Sequence, residues 1–437
     1  MTSVKRADGG ASMRYATRMP AVRELASRPH PMSPADATSS ASIHVPVPVA
    51  SGERIHALDI LRGFALWGMI VVHFHQRVPT EATGVEGLIG WVVWIGIEAK
   101  SWGTFAFLFG VGFAVLLRRL EARGTKIGAF YLRRLFVLAL FGVVAEAAFG
   151  FSILLEYAMW GVPLLALRRL GTRSLLLIAL IAAMANPVIT AGAALHWWPS
   201  LVTPEAAATV ERAHSAVQAA GREGGFVPLV AARLALMRVK YFAVPTLIPG
   251  ATFVLFILGM LALRSGMIDA PRRHVRSIAA WMAFGFACWG LYWSVLFQIP
   301  DGRFAPIDWQ VRYGFGILNE QWLCLTFVGA IVLLLAFRAE WRSRLAWFGS
   351  AGRMALTNYM LQIAALDFIV SGYGLSLRVR PAVGVLAAAA LFGVEVAFSR
   401  WWLARYRFGP CEWVWRSLTY GQRQPMRRAA IVPDAAA

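Results

Sequence analysis

"ALDILRGFALWGMIVVHFHQRV", residues 57–78, has the apolar middle of a membrane span and polar groups at both ends. About 20 apolar residues suffice for a helix to cross a hydrocarbon core of roughly 30 Å. Asp59 and Arg62 open the stretch, and His73 and His75 close it. An ionisable side chain inside a span costs roughly 2.5–3.5 kcal/mol on insertion scales, so each is a functional candidate. On a helix, Asp59 and Arg62 are neighbours on one face. His73 lies eleven positions beyond Arg62, which returns it to within ~20° of that face and ~16 Å further along the axis. His75, turned by ~200° from His73, points elsewhere.

The rest of the chain continues this pattern. Of its 437 residues, 58% are hydrophobic and 15% charged, against about a quarter charged in soluble domains. Apolar runs of span length recur at about 58–76, 102–118, 131–149, 152–168, 174–194, 246–264, 278–299, 317–337, 353–371 and 381–403. The reading is an all-α, polytopic integral membrane bundle of about ten transmembrane helices, because helices satisfy their own backbone in lipid. Residues 87–97, "GLIGWVVWIGI", are short for a span and read as an interfacial or re-entrant helix leading into the second span. Residues 1–53 read as a disordered cytoplasmic tail rich in Pro, Ser and Ala. Residues 54–408 form the membrane domain, with 195–245 as an extracytoplasmic segment, and 409–437 a cytoplasmic motif and tail.

The formal charge of +20 fits cytoplasmic loops rather than a nucleic-acid partner, because basic residues gather on the inner side. With the N-terminus inside, four short inner loops hold seventeen Lys and Arg, whereas five outer loops, together longer, hold eleven. Both termini are therefore expected in the cytoplasm. Cys288, Cys324 and Cys411 form no CxxC pattern, and neither a disulfide framework nor a metal site follows.

Further polar residues are Glu98 with Lys100, Glu146, Glu156, Asn319, Glu320, Asn358, Asp367 and Glu395. Glu98, Glu146, Glu156 and Asn319 are expected toward the outer half, where together they point to a polar cavity. His73 has two readings: a packed bundle histidine, or a general base, for which its reference pKa of about 6.5 is suited. Gly110 and Gly112 in "LFGVGFAVLLRR" (108–119) follow no strand, so they read as close helix packing rather than a phosphate loop. "PCEWVWRSLTYGQRQP" (410–425) reads as an aromatic motif folded back on the inner face, with Glu412 or Arg416 in an ion pair.

Five stretches resemble the YeiB-like bacterial membrane proteins of the domain-of-unknown-function family 418. They are "LDILRGFALWGMIVV" (58–72), "FAFLFGVGF" (105–113), "YLRRLFVLALFG" (131–142), "GRMALTNYMLQ" (352–362) and "FGPCEWVWRSLTYG" (408–421). Members of that family commonly carry Asn at the position of His73, and a His and a Gly-Asp pair where this chain reads "AEAAFGFSILLEYA" (145–158). Glu146, Ser152 and Glu156 are the polar residues left in that stretch. The opening "LDxxRG" is also similar to the transmembrane acyltransferase superfamily. That resemblance implies transfer of an acyl group from a cytoplasmic CoA thioester to a glycan, lipid or small-molecule acceptor beyond the bacterial inner membrane. Under an acyl-transfer reading, His73 and Glu98 are the expected catalytic groups, and Arg62, at the cytoplasmic end of the shared face, is the expected contact to acyl-CoA. Asp59, Arg62, Glu146, Glu156, Asn319, Glu320 and Asn358 are the expected substrate-binding residues. No tightly bound cofactor is implied beyond acyl-CoA as co-substrate. The alternative class is a transporter or lipid flippase, since buried polar groups mark substrate pathways equally well.

Overall fold

Long runs of Leu, Val, Ala and Phe without alternation favour helix over strand, and the computed structural model is helical. It describes residues 56–428, apart from 78–82, 125–126, 201–202, 224, 244–249, 299, 301, 309–310, 312–314 and 378–379. The expected tail at 1–53 lies outside the described residues. Among the described residues the β structure is one isolated bridge, Tyr406 with Arg427.

The helices run in the order α1 (His56–Arg77), α2 (Gly84–Val93), α3 (Ala99–Ala122), α4 (Ile127–Phe149), α5 (Leu154–Ala166), α6 (Thr172–Ala194), α7 (Pro204–Glu223) and α8 (Phe226–Arg238). They continue as α9 (Ala251–Arg264), α10 (Val275–Leu291), α11 (Phe315–Phe337), α12 (Glu340–Arg344), α13 (Ala346–Arg353), α14 (Ala355–Val370), α15 (Pro381–Arg405) and α16 (Pro410–Tyr420). Among the described residues, six helical runs are long and apolar enough to cross a membrane: α1, Gly84–Ala122, α4, α6, the run from Val275 and α15. The expected spans at 152–168, 246–264, 317–337 and 353–371 correspond to shorter apolar pieces, α5, α9, the Trp322–Phe337 part of α11, and α14. The expected interfacial or re-entrant helix at 87–97 does lead into the next span, as the start of one continuous run. A π-helical turn at Trp94–Glu98 joins α2 to α3 without a break, giving 39 helical residues.

The centre of the bundle is α9, buried at every position from Ala251 to Leu263, packed on α3. The crossing is close because glycines meet backbone from both sides. A Cβ on Gly110 would stand 2.0 Å from the Phe256 carbonyl oxygen, and one on Gly259 would stand 2.0 Å from that of Phe107. A second such crossing joins α1 to α13, where a Cβ on Gly63 would strike the Phe348 carbonyl and one on Gly352 that of Asp59. Gly110 thus does what close packing predicts, whereas Gly112 has open space above it. The outer helices expose large apolar side chains, such as Phe136, Leu177, Leu386 and Val394. An apolar outer face on a helix already apolar all round suits lipid rather than water.

Two short stretches of chain are tied by polar contacts. The helix breaks at Met354, between α13 and α14. The Asn358 side chain donates back across the break to the Ala351 carbonyl (3.1 Å). First-turn amides of α14 that have no intrahelical partner are taken up by α16: Glu412 accepts from Leu356 N–H (2.6 Å), Thr357 N–H (3.1 Å) and the Thr357 hydroxyl (2.6 Å). A carboxylate at a helix start satisfies donors that have no intrahelical partner. The C-terminal motif therefore folds back as expected, but Glu412 caps a helix instead of pairing with a cation. Gly421, at φ 69°, ends α16 in the left-handed conformation that glycine adopts without strain.

Candidate functional site

A cavity of about 260 Å³ opens between α1, α3, α4, α5, α13, α14 and α16. Residues from all five stretches quoted above line it: Asp59 and Arg62; Phe105, Leu108, Phe109, Gly112 and Phe113; Tyr131, Arg134 and Leu138; Gly352, Arg353, Ala355, Leu356 and Tyr359; and Glu412, Trp415 and Arg416. Gly112 is a wall of the cavity, which is why nothing packs over it.

One end is cationic. Arg62, Arg134, Arg353 and Arg416 stand against the two carboxylates of Asp59 and Glu412. Arg62 bonds Asp59 at 2.8 Å, the i,i+3 pair expected from the sequence. The guanidinium of Arg134 lies over the Trp415 ring at 3.7 Å from its centroid, and the Trp415 indole N–H donates to the Arg134 carbonyl (3.1 Å). Arg416 lies over Phe408 at 4.6 Å. Stacking on an aromatic face fixes the plane of a guanidinium fork. Burial pushes the Glu412 carboxyl above its ordinary range, and the bonds from Thr357 and Leu356 only partly oppose it.

The other end is aromatic. Tyr157 donates its hydroxyl to the Trp102 carbonyl (3.0 Å), and the Tyr359 hydroxyl accepts from Ile153 N–H (3.1 Å). His73 lies beyond this wall. It is buried, with its ring centroid 4.8 Å from that of Phe151 and 6.1 Å from that of Tyr359. It lines a small void with Gln76, Phe151, Ile363 and Leu366. Gln76 in turn donates to Glu98 (2.5 Å), so the two expected catalytic residues share a neighbourhood through Gln76. His75 faces a separate void with Val93 and Arg380.

The remaining expected site residues fall elsewhere. Glu146 accepts from Lys240 (3.1 Å) and from the Tyr241 hydroxyl (3.0 Å), and Glu156 accepts from Thr252 (2.7 Å). Neither lines the cavity, although both stand on segments that frame its aromatic end. Asn358 is fully buried between the helix break and Ser399 (3.0 Å), a position that holds helices together rather than facing a ligand. The side chains of Asn319 and Glu320 lie outside the described residues. Sequence reasoning assigned no site role to Tyr131, Arg134, Arg353 or Trp415. Their signal was present: each stands in one of the quoted stretches, but the arginines read as ordinary inner-loop charge.

A helical bundle with several span-length apolar helices and a cation-ended internal cavity defines a membrane protein. Residues 54–215 match the family model described as heparan-alpha-glucosaminide N-acetyltransferase, catalytic, and residues 262–422 match that of the protein of unknown function DUF418. The chain is 29% identical over 424 residues to the uncharacterised protein YxaH of Bacillus subtilis strain 168, covering 88% of this chain and 99% of that one. It is 26% identical over 393 residues to an uncharacterised 39.9 kDa protein encoded in the amylase 3' region of Bacillus acidopullulyticus, covering 87% and 97%. A shorter match, 37% over 68 residues, joins it to the uncharacterised protein YeiB of Escherichia coli K12, covering 16% of this chain and 18% of that one. No solved structure matches. Together these matches support similarity to a divergent, YeiB-like branch of the DUF418 family.

Proposed function

We propose that this protein is a transmembrane acyltransferase of the bacterial cytoplasmic membrane. It moves an acyl group from a CoA thioester to a glycan, lipid or small-molecule acceptor on the far side. One observation carries the reading: the five quoted stretches, scattered over the chain, converge on a single cavity with arginines at one end. The acyltransferase-like match over residues 54–215 supports it.

In this reading the donor enters from the cytoplasmic, arginine end, near Arg62, and its thioester arm lies along the apolar wall. Neutral His73 takes the proton of the acceptor hydroxyl or amine as that atom attacks the thioester carbonyl. The carbon–sulfur bond breaks, and the proton passes to the leaving thiolate. Glu98, through Gln76, orients the α1 end that carries His73. Because one aromatic layer separates His73 from the cavity, acceptor access requires Phe151 or Tyr359 to move. Membrane lipids surround the bundle and are themselves candidate acceptors. The test is transfer of a labelled acyl group by the purified protein from acyl-CoA to lipid and glycan extracts. Absence of thioester consumption with every acceptor removes the reading.

A specific feature favours transport as the second reading. The α13–α14 break and the buried seam of Asn358 with Ser399 and Gln362 with Glu395 (2.8 Å) are the kind of interrupted, polar helix on which transporters build sites. Flux through proteoliposomes without covalent change distinguishes it.

A further inference from the structure

Three features of the arginine end go beyond a generally basic cavity. The charge count of the lining is four guanidinium groups against two carboxylates. Glu412 already accepts three bonds from α14, and Asp59 accepts one from Arg62. Arg134 is held flat by Trp415, so its fork is oriented before any ligand arrives. Third, the Tyr131 hydroxyl, 2% exposed and on the cavity wall, has no hydrogen-bond partner among the described residues. A buried donor is rarely left unmade in a folded protein. Tyr131 and Arg134 are three apart on α4 and share a face, so the hydroxyl and the guanidinium are presented together.

We propose that this end of the cavity is a phosphate-binding site, formed by Arg134, Arg353 and Arg416 with the Tyr131 hydroxyl, and completed by the docking of α16. Planar arginines match phosphate oxygens two at a time, and a phenol adds a neutral donor to a further oxygen. The apolar wall of Leu108, Phe109, Phe113 and Leu138 then takes the chain attached to that phosphate. A phosphate ester joined to a long apolar or thioester arm fits both halves. Two sources share that chemistry: a soluble adenosine-bearing acyl carrier and an anionic phospholipid. The proposal rests on the cavity used for the acyl-transfer reading but not on any reaction.

The test is equilibrium binding to the full chain in detergent, with two probes. Adenosine 3',5'-bisphosphate reports the soluble source. Dioleoyl phosphatidylglycerol, compared with dioleoylglycerol, which lacks the phosphate, reports the lipid source. Saturable binding of either phosphate probe is expected, weakened by salt. Arg134→Gln and Tyr131→Phe are each expected to weaken it by about tenfold or more with an unchanged melting temperature. If Arg134→Gln fails to accumulate, Tyr131→Phe, which removes one oxygen, carries the test. Binding of the nucleotide alone assigns the soluble source, and binding of the phospholipid alone assigns the lipid. The proposal is overturned if neither probe binds, or if both bind the two variants as tightly as the native chain. Phosphate binding without acyl transfer removes only the catalytic reading; acyl transfer by a chain that binds neither probe removes only this one.

Discussion

His73 stands one aromatic layer from the cavity, on the face of α1 that also carries Arg62. If it is the base, His73→Ala lowers acyl transfer by ~10²–10⁴-fold while the protein still inserts. His73→Asn keeps hydrogen bonding but takes up no proton. Full activity in that variant assigns His73 to positioning. His75→Ala leaves the rate near that of the native chain, because its ring faces Gly90 and α15 rather than Tyr359. Glu412 supplies a pH prediction. Its carboxyl is raised above an ordinary value near 4.5 by burial, so the folded state holds the proton more tightly than the unfolded chain. The associated stability is fully present below about pH 4.5 and is lost as pH rises through the raised value. Melting temperature in detergent therefore falls as pH climbs above about 4.5 through that raised value, and Glu412→Gln flattens that slope.

At the scale of elements, the two glycine crossings and the α16 cap decide which helices sit together. Gly110→Ala places a methyl within contact of the Phe256 carbonyl that no rotamer relieves, so α3 and α9 must separate. Overpacking of this kind costs about 1–3 kcal/mol, read as a lowered melting temperature; Gly112→Ala, over open space, is the tolerated control for folding. Truncation after Arg407 removes the Glu412 cap and leaves the Leu356 and Thr357 amides buried without acceptors. Each lost partner costs about 1–3 kcal/mol. The truncated chain should lose thermal stability and, with Trp415 gone, any ligand that Arg134 holds. Unchanged melting and binding would make α16 dispensable.

At the scale of the whole molecule, the cavity has a direction only through topology. Reporter fusions are expected to place the Arg123 loop and the C-terminus in the cytoplasm and the 195–245 segment outside, following the excess of inner-loop arginines. An outward C-terminus would put the arginine end on the far side and deny it to a cytoplasmic thioester. The same fusions settle how the shorter helices α5, α9 and α14 lie relative to the six long ones.

Apolar run length and loop charge are local properties, so the sequence by itself determined a helical membrane bundle, the Asp59–Arg62 pair and the shared face of His73. The resemblance carried by the five stretches was equally legible. Tertiary structure alone decided that these stretches meet at one cavity, because the contacts join residues far apart in the chain: Trp415 reaches the Arg134 carbonyl across 281 positions, and Glu412 reaches Leu356 across 56. It also separated Glu146, Glu156 and Asn358 from that cavity. Each is a polar residue in an apolar run, and a sequence states that such a group needs a partner without saying whether the partner is a ligand or another helix. Arg134 and Arg353 were counted as loop charge for the same reason: charge sets the side of the membrane locally, whereas the space in front of a side chain exists only after the helices have packed.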